Sequence, residues 1–268
     1  MTIREWIRDR EIHGISTFSV EIIINAFCDD SEQIIRNELY RLSTQGVIKS
    51  VYNGFYVIMP VQYAAKGIVP PVYYIDNLMK YLAKPYYISL LNAAELLGAA
   101  HQRSQCFNVT TILPKASVSN NKKNILKWLY RAEIPEKYIL TKNSETGVIR
   151  YSNAELTAID IIQYSQYIGG LSRATTILSE LIEIINFNDK IEDILTFSTL
   201  STLQRLGYIL DLILEDYENA EIIYKGLLES QRRLNYIPLN SQIGSKNSAK
   251  NKKWKIYINT TIEPDDIG

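Results

Sequence analysis

Residues 30–58 constrain the fold more than any other part of the chain, because they combine an amphipathic helix with a tight hairpin. Ile35, Leu39 and Leu42 recur at intervals of four and three residues, which places them on one face of a helix. Gly46 follows them and is the residue type that most often ends a helix. The sequence therefore predicts one amphipathic helix that ends just before Gly46.

The segment after this helix predicts a β-hairpin. Residues 47–52 and 55–58 are rich in β-branched and aromatic residues, and Asn53-Gly54 separates them. Asn-Gly is the strongest short-range hairpin signal, since both central positions of the favoured turn take positive φ. Two short amphipathic helices are also predicted upstream. Together these elements indicate a winged helix-turn-helix module over residues 1–60.

The outward face of the predicted recognition helix carries residue types that bind DNA. Arg can read guanine, Asn and Gln can read adenine, and Tyr and Arg can contact phosphate. The hairpin adds side chains that can reach the backbone or the minor groove. The predicted DNA-contacting residues are Gln33, Arg36, Asn37, Tyr40 and Arg41 on the helix, and Lys49, Tyr52 and Asn53 in the hairpin.

The charge of residues 1–60 leaves a second interpretation open. They contain 6 Lys and Arg against 8 Asp and Glu, so the module is weakly acidic. Phosphate neutralisation supplies much of the affinity of a protein for DNA, and an acidic module lacks it. Winged helices also dock other proteins, and a polar helix face is often only solvated. The module is therefore either a DNA reader or a protein-contact module.

Positive charge is concentrated in the middle of the chain. Residues 61–150 contain 12 Lys and Arg against 5 Asp and Glu, whereas residues 151–268 contain 11 against 16. The basic middle either attracts DNA, faces an acidic partner or is only a solvated surface. Its densest part comprises Lys115, Lys122, Lys123, Lys127 and Arg131.

The sequence after the hairpin predicts a connector and a second domain. Proline and glycine at 60–71 indicate a connector, and a linking helix follows at 74–82. We therefore divide the chain into the winged module at 1–60, a connector and linking helix at 61–85, and a domain at 86–268. The strands predicted in that domain cover residues 107–113, 134–149 (a hairpin) and 254–262. The predicted helices cover residues 89–98, 120–130, 153–164, 170–185, 191–198, 199–214 and 220–230. A Ser-, Asn- and Lys-rich stretch at 240–253 is predicted to be a mobile loop. The predicted fold class is α+β: a winged helix-turn-helix followed by a mixed, helix-rich α+β domain.

Residues typical of catalytic or metal sites are not grouped in the sequence. His13 and His101 lie far apart, and neither has metal-ligand spacing to another ligand. No P-loop or dinucleotide fingerprint is present. We therefore expect no enzymatic activity, no catalytic residues, no metal and no cofactor.

The expected location is the cytoplasm. Cys28 and Cys106 are far apart and read as small buried residues of a reducing compartment. No stretch approaches the roughly 18 consecutive apolar residues that a membrane span needs, and the N-terminus lacks the apolar region of a signal peptide.

Four polar residues surround the start of one predicted helix: Ser152, Glu155, Thr157 and Asp160. Capping of the helix explains them physically, since Ser152 or Asn153 can begin the helix and Glu155 suits its positive end. A catalytic role or contact with a partner is the alternative.

Several segments, in order along the chain, resemble the AbiEi family of antitoxins from type IV toxin–antitoxin systems. These segments are the winged module and residues 86–98, 148–160, 169–178 and 254–259, so the resemblance spans nearly the whole chain. In the winged module it rests on Arg36, Leu39, Arg41, Leu42, Gly46, Gly54 and Tyr56.

The resemblance implies two activities. The winged helix would bind inverted repeats in promoter DNA and repress its own operon. The C-terminal domain would neutralise a cognate nucleotidyltransferase toxin, without requiring a stable complex. The alternative is a winged-helix protein-interaction module or a regulator without DNA autorepression.

Overall fold

The computed structural model describes residues 1–99, 104–115, 126–188 and 190–263. The chain divides into two compact units. Unit 1 contains residues 1–87, 109–134 and 141–150, and unit 2 contains residues 88–108, 135–140 and 151–268. Residues 61–85, the predicted connector, are thus part of unit 1. None of the described helices has the length and apolar character needed to cross a membrane.

The N-terminal part of unit 1 has the order of elements that a winged helix requires. These elements are α1 (Ile3–Ile12), β1 (Thr17–Ser19), α2 (Val20–Ala26), α3 (Glu32–Thr44), β2 (Ile48–Tyr52) and β3 (Phe55–Ile58). Both β1 and β2 pair antiparallel with β3, so the strand order is β1-β3-β2. The predicted winged helix-turn-helix is confirmed.

A side-chain hydroxyl begins each of these three helices. The oxygens of Thr2, Ser19 and Ser31 accept hydrogen bonds from backbone N–H groups in the first turns of α1, α2 and α3. Such a cap satisfies one of the backbone donors that have no partner within the helix. The local sequence therefore fixes where each helix starts.

The predicted inward face of α3 is confirmed, because Ile35, Leu39 and Leu42 are fully buried. The ring of Trp6 on α1 meets Phe18 edge to face, with 5.5 Å between ring centroids. The core that joins the three helices to the wing comprises Ile3, Trp6, Ile7, Phe18, Val20, Ile23, Ile35, Leu39, Leu42, Ile48 and Ile58.

The hairpin turn differs from the predicted one in its backbone. Gly54 has a φ of +71°, but Asn53 does not adopt positive φ, so the prediction for both turn residues was wrong. The pairing of β2 with β3 shifts register between Ser50 and Tyr52. A bulge of this kind adds twist to a hairpin and lets one left-handed glycine close it.

Two further helices complete the first 87 residues: α4 (Val61–Ala64) and α5 (Ile75–Tyr81). Ile75, Leu78 and Met79 bury the inner face of α5. The ring of Tyr81 lies against Phe55 of the wing, with 5.2 Å between centroids. The predicted linking helix therefore packs directly against the hairpin.

A five-stranded sheet with the order β6-β5-β4-β8-β7 follows along the chain. Its strands and the helix between the first two are β4 (Tyr86–Ile88), α6 (Leu90–Leu97), β5 (Phe107–Ile112), β6 (Leu126–Arg131), β7 (Ile139–Ser144) and β8 (Gly147–Ser152). β4 and β8 run parallel, with Ile88 opposite Tyr151.

The helix predicted over residues 120–130 was wrong where the structure describes it. Residues 126–131 form the edge strand β6, and residues 120–125 lie outside the described part of the chain. Leu126 and Leu129 are three residues apart, a spacing that also suits a helix. The β-favouring residues Trp128 and Tyr130, together with pairing at the sheet edge, decide for a strand.

Helices make up most of the rest of unit 2, as predicted. They are α7 (Ala154–Gln163), α8 (Leu171–Leu181), α9 (Ile191–Phe197), α10 (Leu200–Leu212) and α11 (Tyr217–Glu229). Nine consecutive residues of α7, from Ala154 to Ile162, are buried, so this helix forms the centre of the unit.

A small sheet closes the chain: β9 (Ile237–Pro238), β10 (Ala249–Asn251) and β11 (Ile256–Ile258), in the order β10-β11-β9. The loop predicted at 240–253 therefore contains a strand, and the final strand is shorter than the predicted 254–262. Trp254 accounts for the order of this polar stretch, because its ring is fully buried. Its carbonyl accepts a hydrogen bond from Gln204 Nε2 at 2.8 Å.

Candidate nucleic-acid interface and antitoxin-domain cluster

The outward face of α3 presents the predicted polar side chains to solvent. Tyr40 is 77% exposed. Gln33 Nε2 donates to Asn37 Oδ1 at 3.0 Å, so the two amides form a connected polar ridge. The structure thus brings these residues together on one face of a single helix.

Both arginines of this face are already paired with acids on the same helix. Arg36 donates its Nε–H to Glu32 Oε1 at 2.8 Å, and Arg41 donates its Nε–H to Glu38 Oε2 at 2.7 Å. The Arg41 hydrogen bond lowers the pKa of Glu38. The arginine side chains are 51% and 56% exposed. An exposed ion pair is worth only about 0–1 kcal/mol, so either guanidinium can exchange its carboxylate for a phosphate at small cost.

The two arginines lie toward different neighbours of α3. Burial raises the pKa of Tyr56, and the nearby Arg36 guanidinium acts in the opposite direction, which puts Arg36 beside strand β3. Arg41 and Asn37 instead line an open groove of about 690 Å³ together with Arg4 of α1. The predicted face therefore extends from the wing to the N-terminus of α1.

The hairpin residues divide into accessible and buried ones. Asn53 is exposed at the turn and Lys49 is half-buried, so both can meet a ligand. Tyr52 is only 7% exposed and packs into the module. Its side chain therefore stabilises the wing, and we leave it out of the interface.

The wing tip is held by the adjacent helix α5. Tyr81 Oη donates to the Asn53 carbonyl at 3.5 Å. A Cβ placed on Gly54 would lie 3.0 Å from Tyr81 Oη. Sequence reasoning missed Tyr81, because nothing in the spacing of α5 distinguishes it from an ordinary amphipathic tyrosine. It positions the turn that carries Asn53.

The basic middle segment is only partly accessible. Lys115 and Lys127 are exposed, but Arg131 is 8% exposed and donates its Nε–H to Tyr87 Oη at 2.8 Å. Lys122 and Lys123 lie outside the described residues. Unit 1 as a whole nevertheless holds 16 Lys and Arg against 11 Asp and Glu, so the winged helix belongs to a unit with net positive charge.

The four polar residues at the start of α7 are all buried in unit 2. Ser152, Thr157 and Asp160 are fully buried, and Glu155 is 3% exposed. The hydroxyl oxygens of Ser152 and Thr157 are 2.7 Å apart, and Thr157 Oγ1 also donates to the Ser152 carbonyl at 3.3 Å. These bonds tie the end of β8 to the first turn of α7. Asn153 provides the cap itself, by accepting from the Leu156 N–H at 3.0 Å.

Glu155 joins α7 to the loop before α9. Its Oε1 accepts from the Asn186 N–H at 3.1 Å and from Lys190 Nζ at 2.6 Å, and its Oε2 accepts from Asn153 Nδ2. Asn186 and Lys190 stand in a polar stretch whose sequence gives no sign of this role. The geometry supports the structural interpretation, because a carboxylate enclosed by these donors has no open position for a partner. Among the described residues, no three His, Cys, Asp or Glu side chains are placed to hold a metal ion.

A comparison with known protein families gives a match that includes the buried polar residues at the start of α7. A family model described as the AbiEi antitoxin C-terminal domain matches residues 87–212, from β4 to the end of α10. Over these residues, somewhat under half of its length, the chain is similar to the AbiEi antitoxin C-terminal domain. The resemblance inferred from the sequence is confirmed over these residues, and the match supports an antitoxin role.

One solved structure extends the likeness to the whole fold. The crystal structure of the RV2827C protein from Mycobacterium tuberculosis is similar to this chain, with a TM-score of 0.67 at 10% sequence identity. The match covers 93% of this chain and 88% of that one. At this identity the likeness concerns the fold alone. The comparison with curated proteins gives no match.

Proposed function

We propose that this protein is a DNA-binding antitoxin that represses its own operon and counteracts a nucleotidyltransferase toxin. One observation supports the DNA-binding part above all others. The face that carries Gln33, Arg36, Asn37, Tyr40 and Arg41 is solvent-exposed and lies beside a three-stranded wing. A recognition helix flanked in this way enters the major groove while its neighbours contact the backbone.

The charge of unit 1 supplies the attraction that residues 1–60 lack. Their slight acidity is outweighed by basic residues of the segments 61–87, 109–134 and 141–150, which belong to the same unit. Lys115 and Lys127 are accessible members of this set. We propose that they contact phosphates outside the site read by α3, which makes binding strongly dependent on salt.

The antitoxin part belongs to residues 87–212, which match the family model named for this activity and lie mostly in unit 2. We infer that Ser152, Glu155, Thr157 and Asp160 maintain the domain and do not touch the toxin, since all four are buried. Contact with the toxin, if direct, falls on other residues. We also propose a cytoplasmic location, because promoter DNA lies there and both cysteines are free thiols. The predicted burial of the cysteines was wrong for Cys28, which is exposed.

Two readouts in the same cells test this division of roles. A reporter behind the operon promoter measures repression, and growth during expression of the neighbouring nucleotidyltransferase measures neutralisation. The double variant Arg36→Ala with Arg41→Ala is expected to lose repression and to retain neutralisation. The control Arg8→Ala with Lys225→Ala removes the same charge from exposed positions outside α3 and outside the basic segments of unit 1, and it should leave both readouts unchanged.

Two outcomes would overturn the proposal. Wild-type protein that neutralises the toxin but leaves the promoter active would favour the alternative, a winged helix that docks protein. A double variant that loses neutralisation together with repression would contradict the separation of the two activities.

A further inference from the structure

The last part of unit 2 is basic although the rest of the C-terminal half is acidic. Residues 231–258 contain seven Lys and Arg and no Asp or Glu, whereas residues 151–268 as a whole are net negative. This segment includes all three strands of the small sheet β10-β11-β9. Charge of one sign is thus concentrated on one structural element.

Two lysines and two tyrosines form a compact group on this sheet, which we call the lysine–tyrosine face: Tyr236, Lys250, Lys255 and Tyr257. The tyrosine rings are 5.2 Å apart between centroids. Lys250 lies opposite Tyr257 in the register of β10 and β11, so the two side chains project from the same side of the sheet. Its Nζ is 5.3 Å from the Tyr257 ring and 5.6 Å from the Tyr236 ring.

Lys255 completes the group, with its Nζ 5.2 Å from the Tyr236 ring. These distances suit cation–π attraction, which holds each ammonium close to an aromatic surface. Lys250 is exposed and both tyrosines are only half-buried, so charge and ring are accessible together.

Neither lysine of the face has an anionic partner within the described part of the chain. The neighbouring Lys253 shows the contrast: its Nζ lies 3.0 Å from Asp211 Oδ2 and 3.7 Å from Glu221 Oε2. Lys253 therefore forms ion pairs within unit 2, whereas no carboxylate among the described residues pairs with Lys250 or Lys255. A surface of this composition attracts an anion from outside.

We propose that the lysine–tyrosine face binds single-stranded nucleic acid, with phosphates at Lys250 and Lys255 and bases against Tyr236 and Tyr257. Basic grooves lined with aromatic rings are the general means of holding single strands, since every base has a π-face that can stack. A protein partner fits less well, because lysine is depleted in protein interfaces. This activity is additional to the proposed promoter binding by α3 and does not depend on it.

The test measures fluorescence anisotropy of labelled 20-nucleotide probes with the full chain: oligo-U RNA, oligo-dT DNA and a duplex of unrelated sequence. Wild-type protein should bind at least one single strand more tightly than the duplex. Lys250→Gln with Lys255→Gln should weaken that binding about tenfold at low salt. The slope of log affinity against log salt should fall by roughly 1.4, because each phosphate contact on a single strand contributes about 0.7.

The matched control is Lys137→Gln with Lys225→Gln, which removes the same charge from exposed sites elsewhere in unit 2. It should keep both affinity and slope, and so should Lys250→Arg with Lys255→Arg. Tyr236→Leu should weaken binding by about fivefold or more through lost stacking. Binding to RNA alone or to DNA alone identifies the source of the strand and supports the proposal in either case.

Promoter repression separates this proposal from the previous one. Arg36→Ala with Arg41→Ala should keep single-strand binding, whereas Lys250→Gln with Lys255→Gln should keep repression. If that variant fails to fold in a thermal melt, Lys250→Gln alone carries the test, with an expected slope loss of roughly 0.7. The proposal is overturned if wild-type protein binds no single strand at low salt or prefers the duplex. It is also overturned if Lys137→Gln with Lys225→Gln weakens single-strand binding as much as Lys250→Gln with Lys255→Gln.

Discussion

Arg36 donates its Nε–H to Glu32 across one turn of the recognition helix, at 2.8 Å. The guanidinium that the sequence offers to DNA is therefore engaged with a carboxylate on the same face. Arg41 and Glu38 form a second such pair, further along the same face of α3. In the proposed complex with DNA both ion pairs have to be exchanged for phosphate contacts, which would make the two acids determinants of affinity.

Removing the two acids should strengthen DNA binding. Glu32→Gln with Glu38→Gln releases both guanidiniums and removes two negative charges close to the phosphates, so promoter affinity should rise by about fivefold at moderate salt. Anisotropy with promoter DNA measures the change. Glu11→Gln with Glu133→Gln removes the same charge from exposed sites outside α3 and should have a much smaller effect. Equal effects of the two double variants would show that α3 does not face the phosphates.

A side chain at Gly54 should destabilise the wing turn. Its φ of +71° costs an L-residue about 1–2 kcal/mol, and a Cβ would meet Tyr81 Oη at 3.0 Å. Gly46→Ala is the control, since Gly46 has a similar φ of +72° with open space around its Cβ position. Urea unfolding should show a larger loss of stability for Gly54→Ala than for Gly46→Ala. Identical losses would show that contact with Tyr81 does not constrain the turn.

Gly207 on α10 should be the most sensitive glycine of unit 2. A Cβ there would lie 2.1 Å from two carbons of the buried Trp254 ring, so Gly207→Ala has to displace the ring or the helix. Overpacking of this kind costs about 1–3 kcal/mol or more. Gly244→Ala has open space at its Cβ and should change the free energy of unfolding by less than about 0.5 kcal/mol. Equal urea midpoints for the two variants would contradict the packing of Trp254 on α10.

Glu155 should be a structural residue. Glu155→Gln removes the charge that Lys190 Nζ contacts at 2.6 Å in a buried setting, and we expect a loss of about 2 kcal/mol in urea unfolding. Glu183→Gln changes an exposed acid of the same unit and should have little effect. Neutralisation should weaken only as far as the folded fraction falls. A Glu155→Gln protein of wild-type stability that no longer neutralises the toxin would make Glu155 a contact residue instead.

Local signals in the sequence predict unit 1 well where the residues that begin and end an element lie within that element or next to it. Ser31, the apolar spacing of α3 and Gly46 define the recognition helix, and Asn53-Gly54 locates the hairpin. These features act within a few residues of one another, so the chain needs no distant partner to express them. The twist of the hairpin was missed, because the bulge between Ser50 and Tyr52 depends on pairing with β3.

Features that depend on contacts between residues far apart in the chain could not be predicted from the sequence. Residues 126–131 have spacing that suits a helix or a strand, and the edge of the five-stranded sheet decides between them. The polar stretch before Trp254 is predicted to be a loop from its composition, but in the structure β10 pairs with β11 on either side of the tryptophan, whose ring packs against Gly207. Lys190 and Tyr81 were missed for the same reason, since each acts on a residue about 30 positions away.

The central claim is that α3 reads promoter DNA, and a salt titration of binding tests it most directly. Anisotropy is measured from low to physiological salt with the operon's own promoter and with a scrambled duplex of equal length. Wild-type protein should bind the promoter at least about tenfold more tightly than the scrambled duplex, and Arg36→Ala with Arg41→Ala should abolish that preference. Wild-type protein that binds both duplexes equally at every salt concentration would contradict the account.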